Sequence, residues 1–197
     1  SPDAKTYFRR GVAYARQIIR DEANAPLAEA DFRKAVELEP TNSFWRIEGL
    51  IAFLENEDRG DEAEEAYLSA IEDNSEDASL MRGYAAWLYN QDRRDEALGV
   101  VDQAIAVDDQ DIDNYVLRAE MFIRMADLNE ALASYEDARM AMTANIKPYL
   151  RQATLLLMLG RHDEAIEVLL EGKAMVEERI ASGEVASARA LAQLESE

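Results

Sequence analysis

The sequence predicts an all-α fold, a solenoid built from repeated helix pairs, and two observations lead to this prediction. Glycine and proline are scarce, at 8 and 4 of 197 residues, and no segment alternates apolar and polar residues as a strand does. Alanines also recur at a fixed interval, since Ala63, Ala97, Ala131 and Ala165 are each 34 residues apart. A period of this length indicates stacked copies of one supersecondary unit.

Each copy carries a small–large–small stripe. A large residue follows each of these alanines after four positions, and a small residue follows three positions later. An upstream copy starts 35 residues before Ala63. Such a stripe lies on one helical face and lets a neighbouring helix approach closely. Its members are Ala28, Phe32 and Ala35; Ala63, Tyr67 and Ala70; Ala97, Val101 and Ala104; Ala131, Tyr135 and Ala138; and Ala165, Leu169 and Gly172.

This pattern resembles the tetratricopeptide repeat, a helix–turn–helix unit of 34 residues. Segments such as "YFRRGVAYARQ" and "YVLRAEMFIRM" also have the aromatic–small–aromatic spacing of the first helix of that unit. The resemblance implies a right-handed α-solenoid of antiparallel helix pairs, a superhelix with five units. Their approximate limits are 4–42, 43–77, 78–111, 112–145 and 146–180.

Two units depart from the pattern. The first has about five extra residues near "RDEANAP", which predicts a longer internal turn. In the second, Trp45 and Gly49 offer a helical register shifted by two from the one through Ile47, Leu50 and Leu54. Stacked repeats leave an apolar face open at each end, so residues 184–195 are expected to form a capping helix. The whole chain, 1–197, is then expected to be one solenoid.

Composition excludes several function classes. With 41 acidic and 21 basic residues the net charge is −20, which argues against nucleic acid and against an anionic membrane surface as partners. The absence of cysteine removes thiol catalysis, thiolate metal sites and disulfides. The longest apolar run, 84–89, is too short to span a membrane, and no signal peptide is visible. A soluble, cytoplasmic domain is favoured, and the start at Ser1-Pro2 suggests a processed or excised chain.

The segment "DDQDIDNYVLRAE" raises the question of a calcium site. Asp109, Asp111, Asp113 and Glu120 have the spacing of an EF-hand loop, but Asn114 stands where that loop needs glycine. The repeat phase makes most of these residues helical. We therefore expect a turn in which Asp111 is the N-cap of the next helix and Asp113 complements the helix dipole.

No motif indicates an enzyme. The only histidine, His162 in "GRHDEA", falls in the predicted turn of the fifth unit, where we expect it to have a packing role. No phosphate-binding glycine loop, nucleophile elbow or zincin motif occurs. We therefore expect no catalytic residue, no metal and no cofactor.

The resemblance also implies a binding surface. In this family the first helices of successive units line a concave groove, which usually holds an extended peptide or a partner helix. By repeat phase, the predicted groove has seven bases and four acids, the reverse of the whole chain. This favours an acidic partner segment with apolar anchors, although arginine stems that cover helix surface and pair with nearby acids would give the same pattern. The predicted groove residues are Lys5, Phe8, Arg9, Arg16, Trp45, Asn56, Arg82, Tyr89, Asn90, Arg124, Lys147, Leu150, Arg151 and Leu157.

Two further features of this groove bear on its ligand. Some family members clamp a C-terminal carboxylate with three cations and two amides. The matching positions here keep the cations Arg82, Lys147 and Arg151 but replace both amides, so a looser acidic-peptide site is expected. Gly49 and Gly83 take matching inner positions, which fits either close approach of a ligand backbone or helix crowding.

The function predicted from the sequence is that of a protein–protein interaction scaffold or adaptor. One alternative is a regulatory or substrate-recruiting segment of a larger enzyme or membrane-anchored protein. Another is a scaffold that self-assembles into homo-oligomers by end-to-end stacking. The acidic second helices could also meet a basic protein, but solubility explains their charge as well.

Overall fold

The computed structural model describes residues 2–181, which form helices joined by turns, and this range contains no strand. The predicted all-α fold is confirmed. The capping helix predicted at 184–195 lies outside the described residues. The helices within 2–181 are α1 (Ala4–Ala15), α2 (Asn24–Leu38), α3 (residues 43–56), α4 (Gly60–Asp73), α5 (Ala78–Asn90), α6 (Arg94–Val107), α7 (Ile112–Arg124), α8 (Leu128–Ala141), α9 (Lys147–Met158) and α10 (His162–Ala181).

Helices come in pairs joined by short turns. We call α1, α3, α5, α7 and α9 the first helices, since each begins a predicted repeat. In the first predicted repeat eight residues, 16–23, separate the two helices, whereas three residues do so in the others. The five extra residues predicted for that turn are therefore confirmed. The short turns are 57–59, 91–93, 125–127 and 159–161.

The short turns share one backbone geometry. The middle residue of each has a positive φ, and these residues are again 34 apart: Asp58 at 56°, Asp92 at 63°, Ala126 at 61° and Gly160 at 73°. In each turn the next N–H donates to a carbonyl five residues back, as from Arg161 to Leu156 O at 2.9 Å. This is the Schellman arrangement, which satisfies the last carbonyls of a helix and stops it sharply.

The chain comprises two compact units, the first ending at Arg93 and the second beginning at Arg94. In the first unit, α2 and α3 build the core around Phe32, Phe53 and Leu54. Ala28 and Ala63, both fully buried, let the helices approach closely. The small–large–small stripe of the sequence is buried here as predicted.

Helix α3 is irregular in its middle. Residues Arg46–Ile51 form a π-helical segment between the α-helical segments Ser43–Trp45 and Ala52–Asn56. A π turn holds more residues than an α turn, so it shifts the helical phase of the residues after it. Gly49, within this segment, and Leu54, after it, are therefore both buried. One of the two competing registers in the sequence starts at Trp45, just before this segment, and the other ends at Leu54, after it.

The second unit has its own core, formed by α7, α8, α9 and α10. Ala131, Tyr135 and Ala165 are buried with Leu155 and Leu156 in one cluster. The predicted stripe is buried in this unit as well, except that Leu169 is only partly covered. Within the part of the chain that the structure describes, no helix is long and apolar enough to cross a bilayer.

Candidate protein-binding surface

Helix α1 presents a stripe of cations. Lys5, Arg9 and Arg16 are all exposed, the first two within α1 and the third at its C-cap. Steps of four and seven residues return to nearly the same side of an α-helix, so these side chains share one face with Val12. The fold thus places the three cations that the sequence assigned to the first unit along a single line.

The cations of this stripe differ from their neighbour Arg10. The guanidinium of Arg10 donates two hydrogen bonds of 2.6 Å to the carboxylate of Asp31, a residue that is only 4% exposed. Lys5, Arg9 and Arg16 form no ion pair with any residue in 2–181. In a chain with twice as many acids as bases, this leaves three cations available to a ligand.

The aromatic members of the predicted site are part of the packing. Phe8 and Trp45 are half-buried, and their rings lie 5.0 Å apart. Phe8 also contacts Phe32 of the core, with ring centroids 5.9 Å apart. The indole N–H of Trp45 donates to the Glu39 carboxylate at 2.6 Å. These rings can form the wall of a site, but much of their surface is already covered.

The two glycines are explained by helix crowding. A Cβ at Gly49 would lie 3.2 Å from the Phe32 ring and 3.3 Å from the Phe8 ring. A Cβ at Gly83 would lie 3.3 Å from the Tyr67 ring. The sequence left two explanations open, helix crowding and the close approach of a ligand backbone. The close neighbours of both glycines within the first unit favour helix crowding.

Helix α3 carries acidic side chains in the first unit. The hydroxyl of Tyr67 donates to Glu55 Oε1 at 3.3 Å, and Glu48 is close enough to contribute to the raised pKa of Tyr67. Desolvation raises the pKa of Glu55 above its ordinary value despite that hydrogen bond. Asn56 is exposed and donates to the Ala52 carbonyl at 2.6 Å. The first unit therefore presents both signs of charge.

Helix α5 contributes less free surface than the sequence suggested. Arg82 and Tyr89 are half-buried, and each already has a partner within the protein. Asn90 is exposed at the last position of α5. Arg82 is therefore a weaker candidate for ligand binding than the cations of α1.

In the second unit the candidate surface lies on α9. Lys147 and Arg151 are exposed and one turn apart, while Leu150 and Leu157 are half-buried. Leu157 packs against the core of the unit, so it offers only part of its side chain. Arg124, at the last position of α7, is exposed but has a partner in the protein.

The contrast between bound and unbound cations recurs in this unit. Arg118 donates to Asp102 at 3.0 Å and to Asp137 at 2.5 Å, which links α7 to both neighbouring helices. Lys147 and Arg151, by comparison, form no ion pair with any described residue. Five of the seven predicted groove cations are thus without an ion pair in the described part of the chain.

A cleft between α1 and α3 was missed by sequence reasoning. It has a volume of about 460 Å³ and is lined by Ile18 and Ile19 from the long turn, by Arg16, and by α3 with Gly49 and Asn56. We call it the α1–α3 cleft. The two isoleucines lie in the long turn 16–23, just before the extra residues that the sequence placed near "RDEANAP", so repeat phase did not assign them. The sequence offered one signal for this cleft, namely two adjacent isoleucines in a predicted turn.

The residues that suggested other chemistry have structural explanations. The Asp111 carboxylate accepts from the Asp113 N–H at 3.0 Å, and α7 begins at Ile112, so the predicted N-cap is confirmed. No cluster of three or more metal-binding side chains occurs among residues 2–181. The packing role expected for His162 is wrong, because this residue is exposed at the first position of α10.

Comparisons with known proteins now place the fold. No protein-family model and no curated protein matches the sequence. The solved structure of the MamA protein matches 94% of this chain and 97% of its own length, with a TM-score of 0.53 at 18% identity. Yeast Tom70 matches 98% of this chain with a TM-score of 0.63 at 24% identity, and the match spans 39% of Tom70. TTC0263, a thermophilic TPR protein of Thermus thermophilus, matches 90% of this chain and 94% of its own length at 17% identity, with a TM-score of 0.52.

The chain has the tetratricopeptide-repeat fold. This fold accounts for the 34-residue spacing of the buried alanines and of the left-handed turn residues. It also separates the side chains that build the tetratricopeptide core from those that the core leaves exposed. Lys5, Arg9, Arg16, Lys147 and Arg151 belong to the second group.

Proposed function

We propose that this tetratricopeptide protein is an interaction scaffold that binds a partner protein through the exposed faces of its first helices. The observation that carries the proposal is the set of five unpaired cations on α1 and α9, defined within residues 2–181. Arginines that stabilise the fold, such as Arg10 and Arg118, are bound to carboxylates. The five unpaired cations need another explanation, and a partner that supplies carboxylates would provide one.

The charges alone would give a weak complex. An exposed ion pair contributes about 0.2–1 kcal/mol, so apolar contacts must supply most of the affinity. The net charge of −20 would repel an acidic partner at long range, but salt screens that repulsion beyond about 8 Å. Cations in direct contact therefore decide which segment binds and in which orientation. A preformed helical surface also requires little reorganisation on binding.

The test is affinity capture from a lysate of the source cells, read by quantitative mass spectrometry. The bait is the full chain, compared with a Lys147→Glu/Arg151→Glu variant. The matched control is Lys34→Glu/Lys173→Glu, which makes the same change in net charge on α2 and α10. Circular dichroism first establishes that all three proteins are equally helical.

We expect one or more proteins to be captured by the wild type and the control but lost by the α9 variant. Binding partners retained equally by all three would contradict the proposal for α9. The same comparison with Arg9→Glu/Arg16→Glu, which makes the same change in net charge as the control, tests α1. If no protein is enriched over an unrelated acidic bait, the scaffold function itself is refuted.

A further inference from the structure

The α1–α3 cleft has the form of a side-chain receptor. Its floor includes the buried rings of Phe32 and Phe53, and its rim carries Ile18 and Ile19. Ile19 is 99% exposed, the highest exposure of any large hydrophobic side chain in residues 2–181. A concave apolar site with charged residues at its edge is the usual form of a binding pocket for a partner side chain.

The two walls of the cleft carry opposite charges. Arg16 lies on the α1 wall, while Glu48 and Glu57 line the α3 wall. None of these three side chains forms an ion pair with a residue in the described part of the chain, so the walls do not neutralise each other. A ligand that met both walls would need both signs of charge, placed on either side of an apolar group.

The cationic wall continues beyond the cleft. With a rise of 1.5 Å per residue, Arg9 lies about 10 Å and Lys5 about 16 Å from Arg16 along α1. An extended chain advances about 3.3 Å per residue, so about five residues of a partner would span this distance. A single small molecule would not reach that far. Nucleic acid is disfavoured, because its phosphates would meet the glutamates of the opposite wall.

We propose that the α1–α3 cleft binds a protein segment in which a bulky apolar side chain is flanked by carboxylates on one side and by a cation on the other. The apolar side chain enters the cleft beside Ile18 and Ile19. The carboxylates lie against Arg16, Arg9 and Lys5, and the cation meets Glu48 and Glu57. This inference rests on the proposed function and gives a specific partner chemistry to the first unit.

The experiment is a selection from a phage-displayed library of random dodecapeptides on the full chain. A second target is Ala52→Trp, which fills the cleft from the α3 wall, where Ala52 lines it. The matched control is Ala30→Trp, at an exposed position of α2 outside the cleft. Circular dichroism and urea unfolding show whether both variants keep the fold.

A third target tests orientation without adding volume. This wall-exchange variant, Arg16→Glu/Glu48→Arg, exchanges the charge of Arg16 on the α1 wall with that of Glu48 on the α3 wall and leaves the net charge unchanged. We expect wild type and Ala30→Trp to enrich peptides with an apolar residue between acids and a base. The wall-exchange variant should enrich the opposite order of charges. By fluorescence anisotropy, Ile19→Ala should weaken the best wild-type peptide about tenfold, because it removes most of one apolar contact.

The results separate this proposal from the proposed function. Peptides that bind Ala52→Trp as well as wild type, or whose charge order ignores the wall exchange, would overturn the cleft proposal but leave the scaffold function standing. Failure to enrich any peptide would also overturn the cleft proposal. The scaffold function would be refuted only by the lysate capture, which uses intact partner proteins.

Discussion

The repeated left-handed turn gives a prediction whose magnitude can be worked out from the backbone. Ala126 has a φ of 61°, and Gly160 occupies the equivalent position one repeat later with a φ of 73°. A side chain in this region costs about 1–2 kcal/mol relative to glycine. Glycine in turn costs about 0.4–1 kcal/mol through the entropy of the unfolded chain. Ala126→Gly should therefore raise the free energy of unfolding by about 0.5–1 kcal/mol, the difference between these two costs.

The reverse change has the opposite sign. A Cβ at Gly160 would have no heavy atom within 4 Å, so Gly160→Ala introduces backbone strain without a clash. We expect it to lower the free energy of unfolding by about 0.5–1 kcal/mol. The double variant Ala126→Gly/Gly160→Ala keeps the composition of the chain, so the effects on the unfolded state cancel. Its stability should match that of the wild type.

The assay is urea unfolding followed by far-ultraviolet circular dichroism, with the m-value checked for each variant. Both positions are in the second unit, so the same unit is perturbed in every comparison. The reasoning would be refuted if Gly160→Ala were as stable as wild type, or if Ala126→Gly were less stable. Either result would mean that these turns do not hold their middle residue in the left-handed region.

Three further predictions concern packing, capping and pH. Gly172→Ala should destabilise by about 1 kcal/mol or more through overpacking, because its Cβ would lie 2.9 Å from the half-buried Ile146 Cδ1 and 3.0 Å from Tyr149 Cγ. Gly99→Ala, whose Cβ would have no heavy atom within 4 Å, should stabilise by about 0.5–1 kcal/mol in urea unfolding. Asp111→Ala should cost about 1 kcal/mol by loss of the N-cap, and calorimetry with calcium should show no binding to the wild type. The hydrogen bond from Arg59 lowers the pKa of Glu29 below 4.5, so its stabilisation is present above that pH and is lost as the pH falls through the lowered pKa. Glu29→Gln should therefore be less stable than wild type by about 1 kcal/mol at pH 7, and the difference should shrink below pH 4.5 in thermal unfolding at several pH values.

The sequence predicted the parts of the fold that depend on repetition. Ala63, Tyr67 and Ala70 are buried because a 34-residue period returns the same helical face to the same neighbour in each unit. The long turn of the first predicted repeat was also predictable, since that repeat has about five residues more than the 34-residue period. Asp111 could be assigned as a cap from its place just before a helical pattern.

The features that were not predictable depend on contacts between distant residues. The π-helical segment of α3 appeared in the sequence only as two competing registers, because periodicity analysis assumes one turn length. The role of Gly49 required the positions of Phe8 and Phe32, which lie on two other helices. The exposed state of His162 also departs from the packing role that its place in the repeat suggested.

The candidate site shows the same limit most clearly at Arg9 and Arg10. Both residues are arginine and they are adjacent, so composition and charge patterning cannot separate them. Arg10 is bound because Asp31, 21 residues away, is buried on the neighbouring helix within 2.6 Å of it, whereas Arg9 is turned by about 100° about the helix axis and forms no ion pair with a described residue. Reversing the charge of Arg9 should therefore change binding and leave folding almost untouched. Replacing Asp31 should weaken the contact between α1 and α2, and any loss of binding would follow from that change in structure.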